Sequence, residues 1–184
     1  FIMRIALITD SHFSSTEAVT CEVRQTGIAD QIMHQAAIIL NAEIKPDVCI
    51  LLGDMVNSGH LPSGEKDWEE LSAHIKLIEA PLILIPGNHD CRHEYFYSFF
   101  GKPEIITEIS GIRFVCNIDE ERPGYNAWRS PENIAKLAEA REAWKAPIVS
   151  LQHVPVFPLG KLECPYNYIN AEEIVAAEEA ASVT

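Results

Sequence analysis

Four short apolar runs, each ending in polar residues, constrain the fold of this chain more than any other feature. The runs are Ile5 to Ile8, Val48 to Leu52, Leu82 to Ile85 and Ile148 to Leu151, and the polar motifs are Asp10-Ser11-His12, Gly53-Asp54, Gly87-Asn88-His89-Asp90 and Gln152-His153. Short, continuous runs of Ile, Val and Leu are typical of strands buried on both faces. Ligands of layered α/β folds bind at the carboxyl ends of such strands, so the polar motifs are expected to converge there. Asp, His and Asn oxygen suit Mn, Fe or Zn, and the pattern therefore predicts a metal site.

Helical segments are predicted between these strands. Residues 27–44 are expected to form a helix with its apolar side at Ile28, Ile32, Ala36, Ile39 and Leu40, and a second apolar helical stripe runs through Trp68, Leu71, Ile75 and Ile78. Further helices are predicted at 92–100, 131–144 and 171–181, with a β pair at 105–109 and 112–118 that turns at Ser110-Gly111. Ser14 to Thr26 is predicted to be a loop that borders a substrate pocket.

Composition narrows the class of protein. A chain of 184 residues with 47% apolar residues can build one sizeable core, so a single domain is expected. The formal net charge of -13 makes unaided binding to nucleic acid or to an anionic membrane unfavourable. A small anionic substrate would need local positive charge, which bound divalent metals can supply.

The cysteines and the apolar segments predict a reducing, aqueous environment. The five cysteines are an odd number, widely spaced and without a CxxC pair, which argues against a disulfide framework and against a structural zinc site. No segment is apolar and long enough to span a bilayer, and the N-terminal residues lack the basic region, apolar segment and cleavage site that are typical of a signal peptide. We therefore expect a soluble cytoplasmic protein.

Taken together and in order, the motifs resemble the calcineurin-like metallophosphoesterase superfamily. Its pattern runs DxH, GDxxD, GNH followed by Asp or Glu, a lone His, and GHxH, and the resemblance covers Met3 to about Val154. It implies an α/β fold, a layered αββα sandwich, in a single domain over residues 1–184. Asn57 departs from the pattern, since the family often has the second Asp of GDxxD there, and GHxH is absent. We expect that the domain is C-terminally incomplete and that the C-terminal strands are missing.

The resemblance also implies a ligand set for two divalent metal ions, Mn, Fe or Zn. Asp10 and His12 would bind the first ion, Asn88 and His153 the second, and the Asp54 carboxylate would bridge the two. Two such ions hold a bridging hydroxide at neutral pH and clamp the oxygens of a phosphoryl group. The implied enzyme is a dinuclear metal-dependent phosphoesterase whose nucleophile is that hydroxide.

The same resemblance gives His89 of the third motif a catalytic role, and the carboxylate of Asp90 is expected to support it. His89 would stabilise the transition state or protonate the leaving oxygen, and Asp90 would hold His89 by a hydrogen bond. Neighbouring polar residues could contact the substrate, and an ordinary solvated loop position is an equal alternative for them. These candidate substrate-binding residues are Asn57, His60, Arg92 and His93.

Other interpretations of the motifs stay open at this point. Asp10 and Asp54 could be helix caps or turn residues, and His153 could be a buried or rim histidine. The GNHD ending and Asn57-Ser58 favour the small phosphodiesterase branch, with a cyclic nucleotide or a similar small phosphodiester as substrate and no nucleic acid or membrane partner. The alternatives are a phosphomonoesterase of a small substrate and a non-catalytic metal-binding scaffold.

Overall fold

The computed structural model describes residues 2–16, 24–124, 126–157 and 166–184. The chain divides into two compact units, Phe1–Lys102 and Pro103–Thr184. The single domain expected from the sequence stays a prediction, and residues 17–23 of the predicted pocket loop lie outside the described ranges. Among the helices in those ranges, none has the length and apolar character needed to cross a membrane.

The first unit is a parallel three-stranded sheet with helical crossovers. Its elements are β1 (Ile5–Ile8), α1 (Ala29–Ile39), β2 (Val48–Leu51), α2 (Pro62–Ile75), β3 (Leu82–Leu84) and α3 (His93–Tyr97). The strand order is β1-β2-β3, with Ile5 opposite Val48 and Cys49 opposite Leu82. A turn of π-helix, Leu40–Ile44, continues α1. All three strands lie where the apolar runs predict them.

The second unit contains a mixed sheet and a small antiparallel ribbon. Its elements are β4 (Ile106–Ile109), β5 (Ile112–Cys116), β6 (Glu120–Arg122), β7 (Asn126–Trp128), α4 (Pro131–Arg141), β8 (Ile148–Leu151) and α5 (Ala171–Ala180). β5 pairs antiparallel with β4 and parallel with β8, while β6 pairs with β7. Ser110 and Gly111 have φ values of 50° and 77°, which suit the tight turn predicted between β4 and β5.

Burial on both faces is confirmed for β2 and is wrong for β1. All four residues of β2, the central strand of its sheet, are buried. β1 is an edge strand of its sheet, and on one of its faces Ile5 is 42% exposed and Leu7 58% exposed. A continuous apolar run therefore predicted the strand but not its burial.

The predicted core side of α1 is wrong for its three isoleucines and is confirmed at Leu40. Ile28, Ile32 and Ile39 are about half exposed, and the buried residues of the helix and its continuation are Ala29, Met33, Ala37 and Leu40. Both stripes have helical spacing, and the observed one contains two alanines, which allow a close approach of the helix backbone to its neighbours. The second predicted stripe is confirmed, since Trp68, Leu71 and Ile75 of α2 and Ile78 just after the helix are all buried.

Candidate metal centre

The loops after β1 and β2 continue the pairing of their strands. The backbone N–H groups of Asp10 and His12 donate to the carbonyl oxygens of Gly53 and Asp54, over 3.0 and 2.9 Å. The N–H of Phe13 donates in the same way to the carbonyl of Met55 at 2.9 Å. These bonds fix the two loops side by side beyond the strand ends. The first and second motifs therefore meet at the carboxyl edge of the sheet, as predicted.

Three polar residues of these loops have left-handed backbone conformations. The φ angles of Asp10, His12 and Asp54 are 55°, 45° and 52°. Non-glycine residues rarely adopt this region, although Asp, Asn and His do so more readily than most. Such conformations cost free energy and persist where the surrounding structure enforces them, commonly at functional sites. The strain thus coincides with the candidate ligands.

Close approach of two backbones explains the glycine that precedes Asp54. Gly53 has a φ of 88°, and an added Cβ would lie 2.3 Å from the backbone nitrogen of Gly87. A contact that short cannot be tolerated without displacement of the loop after β3. The glycine therefore allows the second and third motifs to lie against each other.

We expect Gly53→Ala to lower the free energy of unfolding about 2 kcal/mol more than Gly111→Ala does. Both glycines have a positive φ, so both substitutions impose the same kind of backbone strain. Of these two glycines only Gly53 has a backbone neighbour in the way, because an added Cβ at Gly111 would meet no described atom within 4 Å. Urea unfolding of the two variants measures the difference, and equal losses would contradict the role of close packing at Gly53.

Three donor atoms from the first two loops converge. The Nε2 atom of His12 lies 3.5 Å from Asp54 Oδ2 and 3.7 Å from Asp10 Oδ1. Donors that share one ion at about 2.1 Å lie roughly 3 to 3.5 Å apart, so the observed separations are close to those of a ligand set. His12 and Asp54 are 3% and 4% exposed, and His12 Nδ1 has no hydrogen-bond partner among the described residues. One imidazole and two carboxylates form a donor set that fits Mn, Fe or Zn.

The loop after β3 brings His89 to the same place. Its backbone N–H donates to Asp54 Oδ1 at 2.9 Å, and its ring meets the ring of His12 edge to face at 4.7 Å between centroids. Ligand atoms of His12, Asp54 and His89 all lie within 4.8 Å of one another. His89 Nδ1 is 2.7 Å from the carbonyl oxygen of Asn57, which can only accept a hydrogen bond. Nδ1 therefore carries a proton, and Nε2 is the nitrogen left for chemistry.

The predicted hydrogen bond from Asp90 to His89 requires correction. Asp90 Oδ1 accepts from the backbone N–H groups of Met55 and Val56 at 2.8 and 3.1 Å, and Oδ2 accepts from that of Gly87 at 2.8 Å. Burial raises the pKa of Asp90 to about 7, against the lowering effect of these backbone donors. Asp90 thus ties the second loop to the third, and the carbonyl of Asn57 holds the His89 ring instead.

Other predicted site residues lie at less informative positions, and their roles stay predictions. Asn88 is half-buried between Gly87 and His89, and His60 is exposed before α2. The Arg92 guanidinium is 3.8 Å from Glu65 Oε1, and the ring of His93 contacts that of Tyr97, so the contacts found for these two residues run to α2 and within α3.

His153 belongs to the second unit, where it follows β8. The residue before it, Gln152, accepts a hydrogen bond of 2.8 Å from Nη2 of Arg129. Arg129 is fully buried and also donates to Asp119 through Nε and Nη2. Sequence reasoning missed this arginine. The only sign of it in the sequence is its position just before the start of α4. The network fixes the end of β8, while the ligand role of His153 stays a prediction.

Sequence reasoning also missed Arg24, which lies in the first unit. Its Nη1 atom donates to Asn57 Oδ1 over 3.3 Å, and Asn57 is the residue whose carbonyl holds the His89 ring. The available signal was a lone arginine within the loop predicted to border the pocket. Arg24 thus adds a positive charge beside the third motif.

Comparison with known proteins relates the chain to a family of phosphoesterases. The family model described as calcineurin-like phosphoesterase matches residues 3–176. A glycerophosphodiester phosphodiesterase of Enterobacter lignolyticus is 26% identical over 194 residues, covering 96% of this chain and 66% of that protein. A protein named as a probable cyclic nucleotide phosphodiesterase of Rhodopseudomonas palustris is 26% identical over 171 residues, covering 86% of this chain and 59% of that protein. The chain thus spans less than two thirds of the length of either relative.

A solved structure confirms the fold class. The purple acid phosphatase PPD1 from yellow lupin seeds superposes with a TM-score of 0.57 at 12% identity, covering 84% of this chain and 30% of that one. At this identity the likeness concerns the fold alone. The predicted α/β class of calcineurin-like type is confirmed by this match together with the family model.

Proposed function

Because this chain belongs to the calcineurin-like phosphoesterase family, we propose that it hydrolyses small phosphodiesters with the help of two divalent metal ions. The two curated relatives support a diester substrate, since one is named for glycerophosphodiesters and the other for cyclic nucleotides. The GNHD motif at 87–90 led to the same preference from the sequence. A cyclic nucleotide or a similar small diester is therefore the proposed substrate.

One observation carries the proposal. His12 Nε2 faces a carboxylate oxygen of Asp54 at 3.5 Å and one of Asp10 at 3.7 Å, on backbone held in left-handed conformations. Two carboxylates that both approach one imidazole nitrogen to within 4 Å repel each other unless a cation lies between them or nearby. When bound, divalent ions at such a donor set supply a water activated at neutral pH and charge that stabilises the phosphoryl oxygens.

We propose that His89 donates a proton to the leaving group. Its Nδ1 proton is engaged by Asn57, so Nε2 is the atom that exchanges protons with the substrate. As the oxygen of water forms its bond to phosphorus and loses a proton, the ester P–O bond breaks and the leaving oxygen takes the Nε2 proton of the doubly protonated ring. The proton that the water loses restores that form of His89 for the next turnover. The backbone N–H of His89 donates to Asp54 Oδ1 at 2.9 Å, which holds this histidine beside the carboxylate.

We propose a reducing compartment such as the cytoplasm. Cys49, Cys91 and Cys116 are buried free thiols, which a reducing environment preserves. The net charge of -13 supports a small substrate over nucleic acid as the binding partner.

Hydrolysis of bis(p-nitrophenyl) phosphate by the protein with Mn²⁺ tests the proposed function. We expect turnover that EDTA abolishes and that added Mn²⁺ restores, because the carboxylates and His12 cannot activate water without the ions. p-Nitrophenyl phosphate is the parallel monoester substrate. Turnover of the monoester alone would overturn the diester proposal, and turnover that survives EDTA would overturn the metal requirement.

A further inference from the structure

We propose that Arg24 binds an oxygen of the substrate's phosphoryl group, and this inference rests on the proposed function. The residue is half-buried, and its Nη1 atom donates to Asn57 Oδ1 over 3.3 Å. A guanidinium has five N–H donors in a fixed plane and matches the oxygens of a phosphate in pairs. Among the described residues only the amide of Asn57 accepts from this guanidinium, so its other donors face no described acceptor and could bind a ligand.

The charge of Arg24 is not neutralised within the part of the chain that the structure describes. No carboxylate there lies within 4 Å of its guanidinium, whereas Arg92 in the same unit faces Glu65 at 3.8 Å. The partner of Arg24, Asn57, is a neutral amide that fixes the position of the guanidinium without cancelling its charge. In a chain with a net charge of -13, such a cation provides local positive charge that attracts an anionic substrate.

Asn57 also places this charge next to the proposed proton donor. Its side chain accepts from Arg24, and its carbonyl oxygen is 2.7 Å from His89 Nδ1. The residue is itself fixed, since it is 4% exposed and its N–H donates to the carbonyl of Phe13 at 3.0 Å. One rigid residue therefore holds the His89 ring and the guanidinium together, which puts Arg24 within reach of a phosphoryl group whose leaving oxygen meets His89.

Three variants test the inference in the Mn²⁺-loaded protein. Arg24→Gln removes the charge, and Asn57→Asp keeps Arg24 but pairs it with a new carboxylate while leaving the backbone carbonyl in place. Arg4→Gln is the matched control, because it removes the same charge before β1, where Arg4 donates to the carbonyl of Ile44. The readouts are KM and kcat for bis(p-nitrophenyl) phosphate and the dissociation constant of inorganic phosphate by calorimetry.

We expect Arg24→Gln and Asn57→Asp each to raise KM and the phosphate dissociation constant about tenfold. A change of this size corresponds to the loss of one charge-assisted hydrogen bond. We expect both constants to stay unchanged in Arg4→Gln. If Arg24→Gln folds poorly, Arg24→Lys takes its place in the test. Because lysine keeps the charge but not the planar set of donors, we expect this variant to retain part of the phosphate affinity. Unchanged phosphate affinity in Arg24→Gln and Asn57→Asp overturns the inference, including the case in which only kcat falls. If the wild type binds phosphate more tightly than Arg24→Gln but hydrolyses nothing, the proposed function fails while the role of Arg24 stands.

Discussion

Replacing His89 with alanine is expected to lower kcat for a cyclic nucleotide by about 10²- to 10⁴-fold, the usual contribution of a general acid. The physical reason is that an alkoxide leaves poorly without a proton, and His89 Nε2 is the nitrogen free to supply one. Bis(p-nitrophenyl) phosphate should be affected less, because its phenolate leaves without protonation. The measurement is kcat for both substrates with saturating Mn²⁺.

Mn²⁺ affinity of the same variant separates two roles for His89. The structure brings this histidine within 4.8 Å of the ligand atoms of His12 and Asp54, so it could also bind an ion. If His89 acts as the proton donor, we expect His89→Ala to change the Mn²⁺ dissociation constant little, as measured by calorimetry. A loss of metal binding as large as the loss of turnover would contradict the assignment and make His89 a ligand.

Asp90→Ala is expected to lower the free energy of unfolding by about 3 kcal/mol or more. The substitution leaves the N–H groups of Gly87, Met55 and Val56 without their acceptor, and each buried unsatisfied donor costs about 1 to 3 kcal/mol. The second and third loops should separate, so Mn²⁺ affinity should fall as well. Urea unfolding of the metal-free protein measures the free energy of unfolding without a contribution from bound metal.

Asp90→Asn is the matched control for this loss. Its single side-chain oxygen can still accept from Met55 and Val56, while its amide nitrogen would face the N–H of Gly87. We expect a stability loss smaller than that of Asp90→Ala. Equal losses in the two variants would show that the charge of Asp90, and not its number of acceptors, ties the loops together.

The sequence was sufficient to predict the strands that precede the four polar motifs and the residues that follow those strands, but not the strands β6 and β7. Periodicity and β-branched content predict strands at β1 and β2, and in a parallel sheet their carboxyl ends share an edge, so the meeting of Asp10 with Asp54 followed. The Ser110-Gly111 turn was predictable for a similarly local reason, because few residue pairs tolerate two consecutive positive φ angles.

What could not be predicted depends on neighbours distant in sequence. α1 carries two apolar stripes, and only the packing of the folded unit buries Met33 and exposes Ile32. Asp90 was assigned to His89 because a carboxylate often orients a functional histidine. Its oxygens instead accept from two backbone amides more than thirty residues away and from the nearby amide of Gly87. Arg24 belongs to no sequence motif, and its proposed role was inferred from its contact with Asn57 in the folded structure.

The left-handed conformations of Asp10, His12 and Asp54 imply a conflict between two selective pressures. Each of these residues costs the folded state about 1 kcal/mol or more that glycine would not cost. Selection for thermal stability alone would therefore favour glycine at all three positions. That residues with coordinating side chains occupy them instead means that this protein gives up stability where its chemistry is placed, and that stabilising changes should be sought elsewhere in the chain.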